Sequence, residues 1–486
     1  MIYKLRPYQE ECVKSISDYI NSDRHDPVLI VGPVGCGKSL LIAEAARLMG
    51  DKTLILQPSK ELLQQNHNKI TSYGIPATIY SASCGKKELS NMIYATLGSI
   101  KKVVGQLKEM GIRSVLIDEA HAGYSPEDGS EFMTFMNELK PKKVIGFTAT
   151  PCRLKTMSIG QVSYSQLNFI TRMRPVYFKN LIHVIQVEEM IRQGFWTPLK
   201  YETWDFNGDA LKLNSNGSEY TAESISEAVR KNGLNNLILR RLMVLKDVCR
   251  SILVFMDSVE SCNTAAEWMN AKICAGMAEV VHGGTPKKQR EAIVEGFKSG
   301  KTKVVFNYSA LGTGFDHPGL DCVIVGRSTF SFSSFYQWLG RAVRIKDGKD
   351  SALVVDCCNN SSRFGDIRKL SIENYKGYGW GMFIGDKLIT NIPMGNKVTK
   401  TDLDIKAAKK DRRRGLAQGV TAAPIPGRPD HPLGSTLMTF GKYCGWMFHS
   451  IPVSYFKFIN ETFDWSNDRN KEIKEYIDFL IKNNKL

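Results

Sequence analysis

The chain has 486 residues, 43% of them hydrophobic, with 65 Lys and Arg against 49 Asp and Glu and a formal net charge of +16. That length exceeds what one core organises, so two or three domains are expected, and so basic a balance implies a polyanionic partner, most simply nucleic acid, with a basic but inert surface as the bland alternative. No run approaches about 18 consecutive apolar residues, which excludes a membrane-spanning helix.

The 11 cysteines lie scattered, without a CxxC pair or a Cys/His set at zinc spacing. Cys357 and Cys358 are adjacent, which suits neither a structural disulfide nor a tetrahedral metal site. All are read as reduced thiols. The start, MIYKLRPYQEE, is interrupted by charge at once and does not read as a signal peptide. The expected location is the cytoplasm, or a host's cytoplasm for a phage-encoded chain.

Along the chain, DPVLIVGP, KTLILQPS, RSVLIDEA and KKVIGFTAT each read as a buried strand ending in a turn or catalytic segment. SLLIAEAARLM and KELLQQNHNKITSY read as helices between them. This βαβ rhythm predicts a parallel sheet covered on both faces over residues 1–152. Residues 153–205 read as an irregular connection rich in aromatics. The rhythm returns within 206–396, where SILVFMDS, AEVVHGG, TKVVFNYS, DCVIVGR and SALVVDCC read as strands and ESCNTAAEWMNAK and SSFYQWLGRAVRI as helices. The fold class is therefore α/β, with two parallel-sheet lobes in tandem. Lys397 to Gly415 then carries eight Lys or Arg against three Asp, and Pro424, Pro426, Pro429 and Pro432 follow. A basic, proline-rich linker is expected over 397–434. A small module, 435–486, closes the chain with a helix near Asn470 to Leu486.

GPVGCGKS, Gly32 to Ser39, follows an apolar strand and opens a helix, which is the context a phosphate-binding loop requires. Gly32, Gly35 and Gly37 let backbone N–H groups approach phosphates, whose charge the helix N-terminus favours. Lys38 would reach the β- and γ-phosphates of ATP, and the Ser39 hydroxyl would hold Mg²⁺. DEAH, Asp118 to His121, ends the apolar run SVLI. Downstream of such a loop, Asp118 would hold Mg²⁺ and Glu119 would orient and deprotonate the attacking water; alone, the pair would read as a helix cap. In QWLGRAVRI, Gln337 to Ile345, Arg341 and Arg344 share one helix face; by itself such a pair is more often solvated than catalytic. In NYSALGTGFDHP, Gly312 and Gly314 permit tight backbone passage, and Asp316 could meet ribose or an arginine.

LRPYQEE, GPVGCGKS, DEAH and TAT, in that order and spacing, resemble the first RecA-like lobe of a superfamily 2 helicase. The resemblance implies that Gln9, with Arg6 and Tyr8, recognises adenine. It implies that Thr148 and Thr150, with His121, couple hydrolysis to lobe motion. Pro58, Ser59 and Lys60 in QPSKELLQQ then hold nucleic-acid phosphates, and Ser258 in LVFMDSVESC does so on the second lobe. Arg344 becomes the arginine finger on the γ-phosphate, Arg341 a second phosphate contact, and Gln337 a further catalytic member of the same helix. IRQGFWTPL, GTGFDHPGLDCVIV, YQWLGRAVRI and VVDCCNN extend the likeness, over about residues 3–360, to the RadD-like group with its phage branch-migration helicases. The zinc-binding cysteine cluster that RadD-like proteins often carry has no counterpart here.

The tail, MTFGKYCGWMFHSIPVSYFKFI, resembles a small domain of unknown function. Its aromatics, Tyr443, Trp446, Phe448, Tyr455, Phe456, Phe458 and Trp465, suit a nucleic-acid surface or a small aromatic core. The resemblance implies an ATP-dependent helicase on forked or branched DNA; the sequence leaves the oligomeric state open, with a monomer as the working expectation. The alternatives are a duplex-DNA translocase subunit of a restriction-type assembly, an RNA helicase, and an ATP-switched scaffold. The complete set of Lys38, Glu119 and Arg344 argues against the last.

Overall fold

The computed structural model describes residues 4–50, 52–159, 162–311, 315–407, 431–436, 438, 443, 447–462, 465 and 471–486. The chain divides into two compact units. One comprises Met1–Tyr375 and Gly379–Val398, the other Lys376–Tyr378 and Thr399–Leu486.

Ten strands open the larger unit: β1 (Val28–Val31), β2 (Thr53–Leu56), β3 (Thr78–Ser81), β4 (Lys86–Lys87), β5 (Met92–Ala95), β6 (Ser114–Ile117), β7 (Lys143–Thr148), β8 (Cys152–Ile159), β9 (Val162–Phe169) and β10 (Asn180–Val184). Eight of them form one sheet in the order β10-β1-β7-β6-β2-β5-β3-β4. Its neighbours run parallel except β3 and β4. The strands β1, β2 and β5 are buried along their whole length. This is why VLIV and LIL are unbroken apolar runs, and why MIYA, not singled out from the sequence, is one too: a parallel sheet covered on both faces exposes neither side of its strands. Three helices matter below: α1 (Pro7–Asn21), α2 (Lys38–Met49) and α3 (Lys60–Ser72).

The second sheet holds β11 (Leu199–Thr203), β12 (Ile252–Phe255), β13 (Ala278–His282), β14 (Val304–Tyr308), β15 (Cys322–Val325) and β16 (Ala352–Asp356). Its order is β11-β16-β15-β12-β14-β13, parallel throughout. The expected pair of parallel-sheet lobes is therefore present.

The sheets divide the chain elsewhere than the sequence pattern does. The expected irregular stretch 153–205 holds the antiparallel hairpin β8–β9, then β10 beside β1 on the first sheet, then β11 beside β16 on the second. Lobe one thus continues to Val184 and lobe two begins at Leu199. Both β10 and β11 are edge strands with largely half-exposed or exposed side chains, so they lack the continuous apolar run that marks a central strand.

In the smaller unit, helices Val453–Thr462 and Lys471–Lys482 close over Met438, Phe448, Ile451, Phe456, Tyr476 and Leu480. Phe448 and Phe456 are buried there, and Tyr443, Tyr455 and Trp465 pack against that core. Phe458 is 58% exposed, and Trp446 lies outside the described residues. The core reading accounts for most of these aromatics. Residues 408–430, with most of the basic, proline-rich stretch, also lie outside the described residues. Among the described residues no helix is long and apolar enough to cross a membrane.

Candidate active site

The strand order places the turns after β1, β7 and β6 side by side at one edge of the first sheet. Each turn carries a motif: Gly32–Ser39 after β1, Asp118–His121 after β6 and Thr148–Thr150 after β7. In open parallel sheets this carboxyl edge is where ligands bind.

Gly35 and Gly37 both have φ of +82°, a conformation costly for any residue with a Cβ. A Cβ on Gly37 would also stand 2.6 Å from Gln9 Nε2. Gly32 lies behind the loop: its N–H donates to Thr148 O at 3.0 Å, and a Cβ there would strike Cys36 Sγ at 2.6 Å. Beneath the loop, Gln9 is the third residue of α1, and its Oε1 accepts from Arg6 N at 3.0 Å, half of a capping box. Its Nε2 donates to Cys36 O at 2.9 Å, and Tyr8 Oη donates to the same carbonyl at 3.2 Å.

Lys38 Nζ stands 3.7 Å from Glu119 Oε1. Burial opposes the Lys38 charge, but Glu119, Cys36 and Asp118 outweigh it and raise its pKa. Burial likewise opposes ionisation of Glu119, yet Lys38, His121 and Arg341 hold its carboxyl below the usual range. Burial, with the adjacent Glu119, pushes Asp118 up to about 7. Glu119 has φ of +45°, a left-handed backbone that stores strain of about 1–3 kcal/mol in a non-glycine residue. Strained backbone of this kind clusters at functional sites.

Asn66, on α3, joins the two residues expected to hold Mg²⁺. Ser39 Oγ donates to Asn66 Oδ1 at 2.6 Å, and Asn66 Nδ2 donates to Asp118 Oδ2 at 2.9 Å and Gln57 Oε1 at 3.1 Å. The hydroxyl and the carboxylate are thereby held on either side of one amide. This hard-oxygen donor set fits Mg²⁺ bound through few protein ligands and substrate phosphates.

The second lobe completes the cavity. Arg341 Nη1 donates to Phe315 O at 2.6 Å, and Arg344 pairs with Asp316. Burial pushes both guanidinium groups down to about 10, so they stay charged near neutrality. Lys4, Arg6, Lys38, Lys69, Arg341 and Arg344 line a cavity of about 460 Å³, opposed among the described residues by Asp118, Glu119 and Asp316. Gln9, Gly35, Gly37, Ser39, Asn66, Phe195 and Gln337 also face it. So cationic a chamber, with two carboxylates beside a lysine, matches a polyphosphate bound with a divalent cation. Gly312 and Gly314 lie outside the described residues.

His121 does reach the expected coupling residues. Its Nδ1 is 2.8 Å from Thr148 Oγ1, and its Nε2 is 3.2 Å from Ser333 Oγ at the start of the Phe332–Leu339 helix. Ser333 Oγ is 3.1 Å from Thr150 Oγ1, and Thr150 N donates to Thr148 Oγ1 at 3.0 Å. The ring of contacts closes across the two lobes. Burial lowers the His121 pKa, and a neutral imidazole donates at one nitrogen and accepts at the other.

The expected nucleic-acid residues stand apart from this cavity. Ser59 caps α3, accepting from Leu62 N at 3.3 Å, with Pro58 and Lys60 flanking it. Ser258 caps the Val259–Lys272 helix, accepting from Ser261 N at 3.0 Å. The two serines therefore occupy like positions, each a helix start after a central strand of its own sheet, and such starts offer backbone N–H groups to phosphate. The sequence assigns no role to Asn66, Lys69, Phe195, Ser333 or Lys349, although Phe195 lies in IRQGFWTPL and Ser333 opens SSFYQWLGRAVRI.

Residues 2–153 match the family model described as Type III restriction enzyme, res subunit, and residues 235–346 the one described as Helicase conserved C-terminal domain. A 51.5 kDa protein of Lactococcus phage (isolate 7-9) is 25% identical over 332 residues, covering 68% of this chain and 65% of that protein. ATP-dependent DNA helicase Hel308 of Pyrococcus horikoshii is 24% identical over 376 residues, covering 69% of this chain and 49% of that one. The chain thus spans between about half and two thirds of the length of these relatives. In structure it is similar to the ATP-dependent Type ISP restriction-modification enzyme LlaBIII bound to DNA, with a TM-score of 0.54 at 15% identity, over 74% of this chain and 28% of that one.

Proposed function

We infer that this chain, a superfamily 2 helicase, hydrolyses ATP in the cleft between its two lobes to drive movement along DNA, with forked or branched DNA as substrate. The observation that carries the reading is a single cavity shared by Lys38 and Glu119 of one lobe and Arg341 and Arg344 of the other. A site assembled from both lobes turns over only when they meet, which converts hydrolysis into motion.

The loop amides and Lys38 hold the β- and γ-phosphates, while Arg6 and Gln9 lie at the base end. Bound between Ser39 and Asp118, Mg²⁺ would offset charge on the phosphate oxygens. Glu119, kept ionised by its cationic neighbours, orients the attacking water and accepts its proton. Arg344 leaves Asp316 to meet the γ-phosphate, with Arg341 beside it. The capped helix starts at Ser59 and Ser258 grip the nucleic-acid backbone.

The deciding assay is ATP hydrolysis with no nucleic acid, single-stranded DNA, linear duplex, forked DNA and RNA. Forked DNA should stimulate most, and the stimulation should fall steeply with salt, as phosphate contacts do. Equal ATP turnover with and without nucleic acid, indifferent to salt, would refute the motor. Best stimulation by RNA would replace the substrate.

A second reading, a duplex translocase serving a restriction-type assembly, draws on the match of residues 2–153 to a restriction-subunit model. Triplex displacement without strand separation would favour it.

The ring through His121 and Ser333 supplies a separate test of coupling. Ser333→Ala opens the ring between lobes without touching the cavity lining. ATP turnover should stay within about twofold, while strands displaced per ATP fall about 2- to 10-fold, the worth of one buried hydrogen bond. Unchanged displacement per ATP would remove Ser333 from the coupling path.

A further inference from the structure

The string IRQGFWTPL has no part in the chemistry above, yet its residues Phe195, Trp196 and Thr197 reach three different parts of the cleft. Phe195 lies under Arg6, whose guanidinium carbon is 4.4 Å from the ring centroid, and edge-on to Tyr8 at 5.2 Å. That is the base end of the cavity. Trp196, 2% exposed, donates its Nε1–H to Val34 O of the phosphate-binding loop at 2.9 Å. Thr197, 3% exposed, donates its N–H to Val343 O at 2.8 Å and its hydroxyl to Arg344 O at 2.7 Å.

Both ends of this segment are anchored. Upstream, Ile185 N donates to Val31 O of β1 at 2.9 Å. Downstream, β11 joins the second sheet. The backbone of Arg344 is also held from its other side: Lys349 Nζ donates to Arg344 O at 2.8 Å, Ala342 O at 2.7 Å and Pro318 O at 3.1 Å. One carbonyl thus receives a hydroxyl from the strap and an ammonium from the second lobe. The loop tip meets lobe two directly as well, since a Cβ on Gly340 would stand 2.5 Å from Val34 Cγ2.

We propose that Phe195–Trp196–Thr197 is a strap that sets the position of Arg344 from the phosphate-binding loop, with Trp196 and Thr197 as positioning residues. The proposal rests on reading Arg344 as the arginine finger. Its physical basis is that buried donors keep their acceptors: a shift of the Val34 carbonyl carries Trp196 with it, because leaving either group unpaired in a dry site is costly. The next residue in the chain then moves the carbonyl of Arg344. A displacement at the P-loop tip so reaches the finger through one peptide unit, without waiting for whole-lobe rotation.

The test is a double-mutant cycle on the full chain with saturating DNA. Thr197→Val keeps the side-chain shape and removes the hydroxyl. It should lower kcat for ATP by about 3- to 10-fold with KM within about twofold, since the lost contact orients a group that acts in the transition state. Thr197→Ser should restore kcat to within about twofold. In an Arg344→Ala background, Thr197→Val should change kcat by less than about twofold, because the group it acts through is gone. Equal losses in both backgrounds, or a rise in KM alone, would overturn the strap. Arg344→Ala at the wild-type rate would instead remove the finger assignment, and the strap with it. Trp196→Phe gives an independent readout: the nucleotide-dependent change in tryptophan emission should fall sharply. Its persistence at full size would take Trp196 out of the strap.

Discussion

Glu119→Gln should bind ATP about as well as the natural chain and hydrolyse it about 10²- to 10⁴-fold more slowly, the span a positioned general base commands. The geometry makes this substitution a clean one. Glutamine keeps the shape and the strained backbone at φ +45° while removing the proton acceptor. What it loses is a carboxylate that the site works to keep ionised: burial alone would raise its pKa, but Lys38, His121 and Arg341 pull it below the usual range. The carboxylate therefore stays deprotonated to lower pH than an ordinary glutamate. An acid limb in the turnover profile is accordingly not expected from Glu119 within the ordinary carboxylate range. Phosphate release with saturating DNA measures the rate, and a fluorescent nucleotide measures binding. Retention of more than about a tenth of the rate would assign the base elsewhere.

Arg344→Ala should cost about 10³-fold or more in ATP turnover, the scale of a lost arginine finger. Partial burial pushes the Arg344 pKa down to about 10, yet it remains charged and is paired with Asp316. A half-buried guanidinium poised beside a carboxylate at the cleft mouth can exchange that partner for a phosphate with little change in charge environment. Arg344→Lys should be nearly as impaired, because an ammonium cannot reproduce the planar fork. Single-turnover hydrolysis separates this loss from nucleotide binding. A rate within about threefold of the natural chain would be incompatible with a finger.

The order of motifs along the chain was enough to single out most of the residues that the structure gathers around one cavity, because each motif is local. Gly35, Gly37, Lys38 and Ser39 are near neighbours whose chemistry follows from their own turn and helix start. Asp118 and Glu119 are consecutive, and Arg341 and Arg344 lie three apart. Where the pattern misled, it did so at β10 and β11. Edge strands carry half-exposed residues and lose the apolar continuity by which the central strands were read. The residues that tune the site were not legible for a different reason. Asn66 meets Ser39 across 27 positions, Ser333 meets His121 across 212, and Thr197 meets Arg344 across 147. No local periodicity records such pairings.

Two α/β lobes, the glycine-rich loop Gly32–Ser39, the acidic pair Asp118–Glu119 and the pair Arg341 and Arg344 could all be read from the sequence, since hydrophobic burial and turn chemistry write these into neighbouring residues. What lies between them follows from packing across the two sheets. That packing places one asparagine amide between Ser39 and Asp118, one serine between His121 and Thr150, and a threonine and a lysine on the carbonyl of Arg344. These are contacts between side chains and groups far apart in the chain. They exist only once both sheets are packed and their buried polar atoms must find partners.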